Sequence, residues 1–145
     1  MHDYKRFLLC LDLTGDSELI AERARSLASR CGATLTLLHV VEYVPVEPMG
    51  EALLPAVQIE GELVERATSR LAELAAKLGL GDADRLVLTG NIKSEVVRVA
   101  KERRADLIVI GSRERHGVSI LFHFTEDTVL HAAPCDVLAI RLQKT

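Results

Sequence analysis

Five residues at or just after the ends of three apolar runs are suited to contacting a nucleotide. Asp12 follows the first run, Val41 closes the second, and the third ends at Gly111, Ser112 and Arg113. The carboxylate of Asp12 can accept hydrogen bonds from a ribose hydroxyl or an adenine amino group, and the backbone of Val41 can face an adenine edge. Gly111 has no side chain, so a phosphate can approach the chain closely there. We call these five residues the cleft residues, and ATP or AMP is their candidate ligand.

The cleft residues also have structural explanations, which stay open at this point. An aspartate after a buried strand commonly caps a turn, and a glycine after a strand commonly serves the backbone conformation. Two more specific nucleotide motifs, the Gly-x-Gly-x-x-Gly fingerprint and the Gly-x-x-x-x-Gly-Lys-Ser/Thr phosphate loop, do not occur in the chain. The residue types alone therefore favour neither explanation.

Other reactive residues do not combine into a catalytic set. Ser112 lacks the Gly-x-Ser-x-Gly pattern of a nucleophile elbow. Cys10 lies inside a predicted buried strand, where its thiol is expected to be inert, and His39 is expected to be a packed, hydrogen-bonded core histidine. Asp106, directly before a strand, is expected to bond the local backbone. We therefore predict a protein without enzymatic activity.

The three cysteines, Cys10, Cys31 and Cys135, are odd in number and far apart. They form no Cys-x-x-Cys pair, and no histidine lies near them at the spacing of a zinc site. The sequence therefore predicts no metal site. Free thiols of this kind are typical of a reducing compartment, which indicates a cytoplasmic location.

Length and composition are those of one globular domain. The 145 residues are 48% hydrophobic and 27% charged, and a chain of this length predicts a single domain, residues 1–145. The formal net charge is −3 and no basic tract is concentrated, so nucleic acid is not an expected partner. No apolar run approaches the roughly 20 residues that span a bilayer, so no membrane association is expected.

Unbroken apolar runs alternate with segments of helical periodicity. Unbroken runs are typical of strands buried on both faces of a parallel sheet. Asp16 or Ser17 is expected to cap the first helix and Ser94 the third, while Arg113 belongs to the polar loop after the fourth strand. The alternation predicts an α/β fold, a doubly wound five-stranded parallel sheet with helices on both faces. The predicted strands are 7–11, 34–41, 85–89, 106–112 and 136–141; the predicted helices are about 17–31, 57–78, 94–100 and 125–132, with a loop at 42–56.

Five segments of the chain carry a resemblance when they are taken in order: Tyr4–Thr14, Leu37–Val41, Gly90–Ile92, Ala105–Ser112 and Thr128–Leu138. Together they resemble the universal stress protein family from Tyr4 to about Leu142. The resemblance implies a Rossmann-like sheet of the adenine nucleotide alpha hydrolase type in a cytoplasmic stress-response protein. It also implies a homodimer through the last strand, here Val137–Ile140, and an apolar edge strand is indeed prone to aggregation until it is paired. A further, unidentified protein partner is compatible with such a role.

Members of that family that bind ATP resemble one another after the fourth strand, in Gly-x-x-Gly, nine residues, then Gly-Ser/Thr. Here Gly111 keeps the first glycine, but Glu114 stands at the second and Phe124-Thr125 at the later pair. Side chains there obstruct a phosphate cradle. A carboxylate beside a polyphosphate adds repulsion of about 4 kcal/mol per unit-charge pair at a separation of roughly 4 Å and an effective dielectric near roughly 20.

The cationic and polar residues of the same loop, Arg113, Arg115 and His116, offset part of that repulsion, so AMP or another small anion remains a candidate. The resemblance and the missing glycines together favour a non-enzymatic regulatory homodimer with a degenerate nucleotide cleft. The alternative is an ATP- or AMP-binding switch of the same family that uses the cleft residues.

Overall fold

Strands and helices alternate along the chain, as the sequence predicts. The computed structural model describes residues 3–42, 53–113, 129 and 131–142. Helical backbone at Val129, His131 and Ala132 agrees with the last predicted helix, whose other residues lie outside the described part. The elements are β1 (Arg6–Cys10), α1 (Ser17–Cys31), β2 (Thr34–Val41), α2 (Leu53–Lys77), β3 (Asp84–Thr89), α3 (Ile92–Glu102), β4 (Leu107–Arg113) and β5 (Asp136–Leu142).

The strands form one parallel sheet in the order β3-β2-β1-β4-β5. The chain places β2 and β3 on one side of β1 and then crosses to place β4 and β5 on the other. The strand order therefore reverses between β1 and β4, the position at which open α/β sheets bind ligands. The predicted doubly wound parallel sheet is confirmed.

Alternate strand side chains fill two cores, one on each face of the sheet. Phe7 and Leu9 of β1 belong to the core beneath α1 and α2. Leu8, between them, belongs to the other core, which lies beneath α3 and Val129. Leu8 and Leu9 are both 0% exposed, so successive residues of β1 are removed from water on opposite faces. This burial explains why the run is apolar without interruption.

Two element boundaries differ from the sequence predictions. Asn91, not Ser94, caps α3: the Asn91 side-chain oxygen accepts a hydrogen bond from the Ser94 backbone N–H at 3.0 Å. The expectation that Ser94 caps the helix is wrong, because the Ser94 backbone N–H is itself the donor that the capping side chain of Asn91 accepts from. β4 extends through Arg113, which pairs with Leu142 of β5. Arg113 therefore lies in a strand and not in the loop that the polar sequence predicts.

The helix α2 begins earlier than the sequence predicts. The prolines of this region indicate a loop up to Ala56, yet the helix begins at Leu53. Pro55 lies in the first turn, where a backbone N–H has no partner within the helix and proline is tolerated. Although α2 has 25 residues, no helix in the described residues combines the length and the apolar character needed to cross a membrane.

Two aspartates, Asp106 directly before β4 and Asp136 at the start of β5, hold the N-terminal segment at the amino edge of the sheet. The carboxylate of Asp106 accepts hydrogen bonds from the backbone N–H groups of Lys5 and Arg6, at 2.8 and 3.0 Å. The expectation of a local backbone partner is therefore wrong, because these partners lie 101 and 100 residues away in sequence. The Tyr4 hydroxyl donates to Asp136 Oδ2 at 2.7 Å. The start of the chain is thus attached to both strands on one side of β1.

Candidate functional site

The cleft residues lie at the carboxyl edge of the sheet. Asp12 follows β1, and Gly111 to Arg113 close β4, so these residues flank the position where the strand order reverses. Val41 closes β2, the other neighbour of β1. Parallel strands bring their carboxyl ends to one edge, which is why the topology gathers residues this far apart in sequence.

One oxygen of the Asp12 carboxylate is fully engaged by the loop that follows it. Asp12 Oδ1 accepts hydrogen bonds from the Thr14 backbone N–H at 3.0 Å and from the Thr14 hydroxyl at 2.7 Å. It also accepts one from the Ser17 hydroxyl at 3.1 Å, and Ser17, at the start of α1, is only 3% exposed. Among the described residues Oδ2 has no hydrogen-bond partner. Asp12 therefore caps its turn through Oδ1, and a ligand contact through Oδ2 stays a prediction.

The backbone around Asp12 is held in an uncommon conformation. Leu13 has φ 59°, in the left-handed region that leucine rarely adopts. On the other side of Asp12, the Leu11 carbonyl oxygen lies 2.7 Å from Nδ1 of the half-buried His39. A hydrogen bond at this position confirms the prediction that His39 is hydrogen-bonded, although the ring is only partly buried.

Gly111 has a packing role that the sequence alone does not reveal. A Cβ at this position would overlap Cδ1 of Ile20 from α1 and would lie 3.4 Å from Leu142 Cδ1. Ile20 is 3% exposed, so the space that a side chain would need is already filled by the core. The absence of a Cβ therefore leaves the space that the Ile20 side chain of α1 occupies against the sheet. A phosphate contact with the Gly111 backbone stays a prediction.

The end of β2 is tied to the start of α3. The Val41 carbonyl accepts a hydrogen bond from Gly90 N–H at 3.1 Å, and one lone pair of that oxygen remains for an adenine edge. Glu42, the next residue, accepts a hydrogen bond from the Ile92 backbone N–H at 2.7 Å. Sequence reasoning missed Glu42 because its partner lies 50 residues away. The spacing of Asp12 and Thr14, in contrast, is a local signal of the turn.

Ser112 and Arg113 are described through their backbone alone. They pair with Arg141 and Leu142 of β5, respectively. The remaining loop positions named in the sequence analysis, Glu114, Arg115, His116 and Phe124-Thr125, lie outside the described residues.

Comparison with known proteins decides the family. The model of the universal stress protein family matches residues 3–141. The chain belongs to the universal stress protein family. It is 35% identical over 144 residues to Universal stress protein A homolog 2 of Coxiella burnetii, and the match covers 99% of each chain.

Solved structures of universal stress proteins share this fold. One, in complex with cAMP, superposes with a TM-score of 0.65 at 21% identity and covers 98% of this chain and 100% of its own. Another, from Archaeoglobus fulgidus in complex with dAMP, gives a TM-score of 0.62 at 19% identity and covers 96% and 99%. At these identities the likeness establishes the Rossmann-like architecture.

Burial suppresses the ionisation of two thiols of this universal stress protein, those of Cys10 and Cys135. Burial raises the pKa of Cys10 to about 12, and burial also raises the pKa of Cys135. Both pack against the core beneath α3. Within the described ranges, no group of three or more histidine, cysteine or acidic side chains is arranged to hold a metal ion.

Proposed function

We propose that this universal stress protein acts in the cytoplasm as a non-enzymatic regulatory homodimer with a degenerate nucleotide cleft. In this proposal the protein functions by binding another protein and does not convert a substrate. Neither nucleic acid nor a membrane is proposed as its partner. The proposal combines membership of the family with two features of this chain, an apolar edge strand and a sequence after β4 that lacks the later glycines of the ATP-binding motif.

The edge strand β5 is the observation that supports the proposed dimer. Its outer edge pairs with no strand among the described residues, and Leu138 in its middle is 36% exposed. A second β5 placed against this edge would satisfy the backbone groups of both strands and cover both Leu138 side chains. Ile140 is only 6% exposed, so it supports the core of one subunit and contributes less to such a contact.

The dimer is tested by placing a charge at Leu138. Leu138→Lys brings one ammonium group from each subunit into the proposed interface, and we expect a folded monomer in sedimentation analysis. Leu19→Lys is the matched control, because Leu19 is an equally apolar side chain that is 45% exposed on α1 and does not belong to β5. Retention of a dimer by Leu138→Lys, or its loss in Leu19→Lys, would place the interface elsewhere. Ile140→Lys is a poor test because it disrupts the core.

The degenerate cleft is supported by Glu114, which directly follows the end of β4. In the sequence, glutamate stands where the ATP-binding members have their second glycine, and a carboxylate beside a triphosphate repels it. We expect calorimetric titration with ATP and magnesium to show no binding at low micromolar concentration. Binding in that range would refute the degenerate cleft and leave the dimer proposal unaffected.

A second candidate function, an AMP-binding switch, is favoured by Oδ2 of Asp12, which has no hydrogen-bond partner within the described ranges. The two structural relatives named above were solved with cAMP and dAMP, which are monophosphates and need no cradle for a triphosphate. Asp12→Asn is the informative variant. The side-chain carbonyl oxygen of asparagine can replace Oδ1 in the turn, while its amide NH2 group stands in place of Oδ2 and cannot accept a hydrogen bond. If AMP binds through Oδ2, this variant loses affinity while its thermal stability stays close to that of the unmodified chain. Equal affinity in both proteins would exclude Asp12 from the site.

A further inference from the structure

His39 contacts the backbone of β1 immediately before Asp12. Its Nδ1 lies 2.7 Å from the Leu11 carbonyl oxygen. A carbonyl oxygen only accepts, so Nδ1 carries the hydrogen of this bond. The Leu11 N–H donates to the Leu38 carbonyl of β2 at 2.9 Å. Both polar groups of Leu11 are therefore held by residues of β2.

The Leu11 carbonyl determines where Asp12 begins. This carbonyl and the Asp12 N–H and Cα belong to one planar peptide unit, so fixing its oxygen fixes the plane from which Asp12 departs. β1 ends at Cys10, and the chain reverses at Leu13 with φ 59°. Downstream, Thr14 and Ser17 fix Asp12 Oδ1. His39 supplies the corresponding constraint on the upstream side.

We propose that His39 is a positioning residue of the cleft, which aims Asp12 Oδ2 at a ligand by holding the Leu11 carbonyl. This inference rests on the proposed AMP-binding function and names a residue that sets the geometry of that site. His39 itself is not required to touch the nucleotide. With His39 in place, the Asp12 side chain already points in one direction before the ligand binds. The entropic cost of ordering this side chain on binding is therefore smaller.

Two substitutions separate positioning from simple packing. His39→Leu fills much of the space of the ring but leaves the Leu11 carbonyl without its donor. His39→Asn is smaller, yet its Nδ2 can occupy nearly the position of Nδ1 and donate the same hydrogen bond. A packing role predicts that asparagine is the worse replacement, whereas a positioning role predicts that leucine is.

The first measurement is the affinity for AMP by calorimetry. We expect His39→Leu to weaken binding about tenfold, as the loss of one hydrogen bond allows, while His39→Asn stays within about threefold of the unmodified protein. Asp12→Asn serves as the reference for loss of Oδ2. If the unmodified protein binds AMP and His39→Leu binds it equally well, positioning by His39 is wrong and the AMP site stands.

The second measurement needs no nucleotide. Nitrogen NMR of the unmodified protein is expected to show His39 as the Nδ1–H tautomer, and the Asp12 carboxyl carbon is expected to shift in His39→Leu but not in His39→Asn. If AMP fails to bind the unmodified protein, the AMP switch is refuted, and this spectrum still decides whether His39 orients Asp12. An Nε2–H tautomer, or an unmoved carboxyl signal in His39→Leu, would overturn the inference.

Discussion

Gly111→Ala is predicted to destabilise the protein through a single steric overlap. The new Cβ would overlap Cδ1 of Ile20 and come within 3.4 Å of Ile20 Cγ1 and Leu142 Cδ1. Ile20 is 3% exposed and Leu142 8%, so neither side chain can move into water without leaving the core. Overpacking of this kind costs about 1–3 kcal/mol.

A smaller opposing effect comes from the unfolded chain. Gly111 does not have a positive φ, so alanine adopts the native backbone without strain, and replacing glycine then stabilises by about 0.4–1 kcal/mol. The net change expected for Gly111→Ala is a loss of about 1–2 kcal/mol in the free energy of unfolding. For a chain of this size that lowers Tm by roughly 2–8 °C.

Ile20→Val tests the cause because it removes the overlapping Cδ1. Alone it costs about 0.5–1.5 kcal/mol. In the double variant the alanine Cβ meets no atom closer than 3.4 Å among those named here, so the two losses are expected to be less than additive by about 1 kcal/mol in urea unfolding followed by circular dichroism. Strictly additive losses would refute the packing explanation of Gly111.

A control variant is available in α2. A Cβ at Gly61 meets nothing within 4 Å, and the residue lies inside α2, where alanine is the better helix former. Gly61→Ala is therefore expected to stabilise the protein by about 0.5–1 kcal/mol. If both glycine variants destabilise equally, the loss at Gly111 does not arise from its neighbours.

Three other changes have defined outcomes. Asn91→Ala removes the α3 cap and should lower the free energy of unfolding by about 1 kcal/mol, while Asn91→Asp should retain most of it in the same urea titration. Asp106→Ala removes the acceptor of the Lys5 and Arg6 backbone N–H groups, and the free energy of unfolding is expected to fall by about 1–3 kcal/mol. Amide hydrogen exchange at the start of β1 should become faster. Burial raises the pKa of Cys10 from 9.0 to about 12, so above pH 9 the unfolded chain loses the thiol proton while the folded chain keeps it. The free energy of unfolding should therefore fall as pH rises from 9 to about 12, and less steeply in Cys10→Ala, as measured by urea unfolding at each pH. Identical slopes in the two proteins would contradict the raised pKa.

The elements of the fold could be predicted because their signals are local. The run at β1 and the alternation of strands with helical periods depend on neighbouring residues, and the sheet order follows from few alternatives once all strands are parallel. Asp12 and Gly111 could be placed at the same edge of the sheet for that reason. The boundary at Asn91 was missed because several polar residues there can cap a helix, and only the backbone dihedrals select one.

The contacts of the site could not be predicted because they depend on side chains that approach from distant segments. Nothing near Gly111 in the sequence indicates that Ile20 fills the space beside it. The bond between His39 and the Leu11 carbonyl depends on the register of β1 and β2, and the two residues are 28 apart. The turn at Asp12 was the local exception, because a threonine two residues later is a recognised partner for an aspartate cap.

The central position of β1 also governs how the protein is made. β1 leaves the ribosome before the other four strands of this sheet, but one of its two edges stays open until Leu107 and its neighbours arrive to pair with Phe7. Pairing between such distant segments is slow, because the intervening chain must lose its freedom before the contact forms. For most of its synthesis the nascent chain therefore exposes one edge of β1, whose Leu8 and Leu9 are fully buried in the folded protein. We expect a chaperone to bind this segment early and to prevent its aggregation.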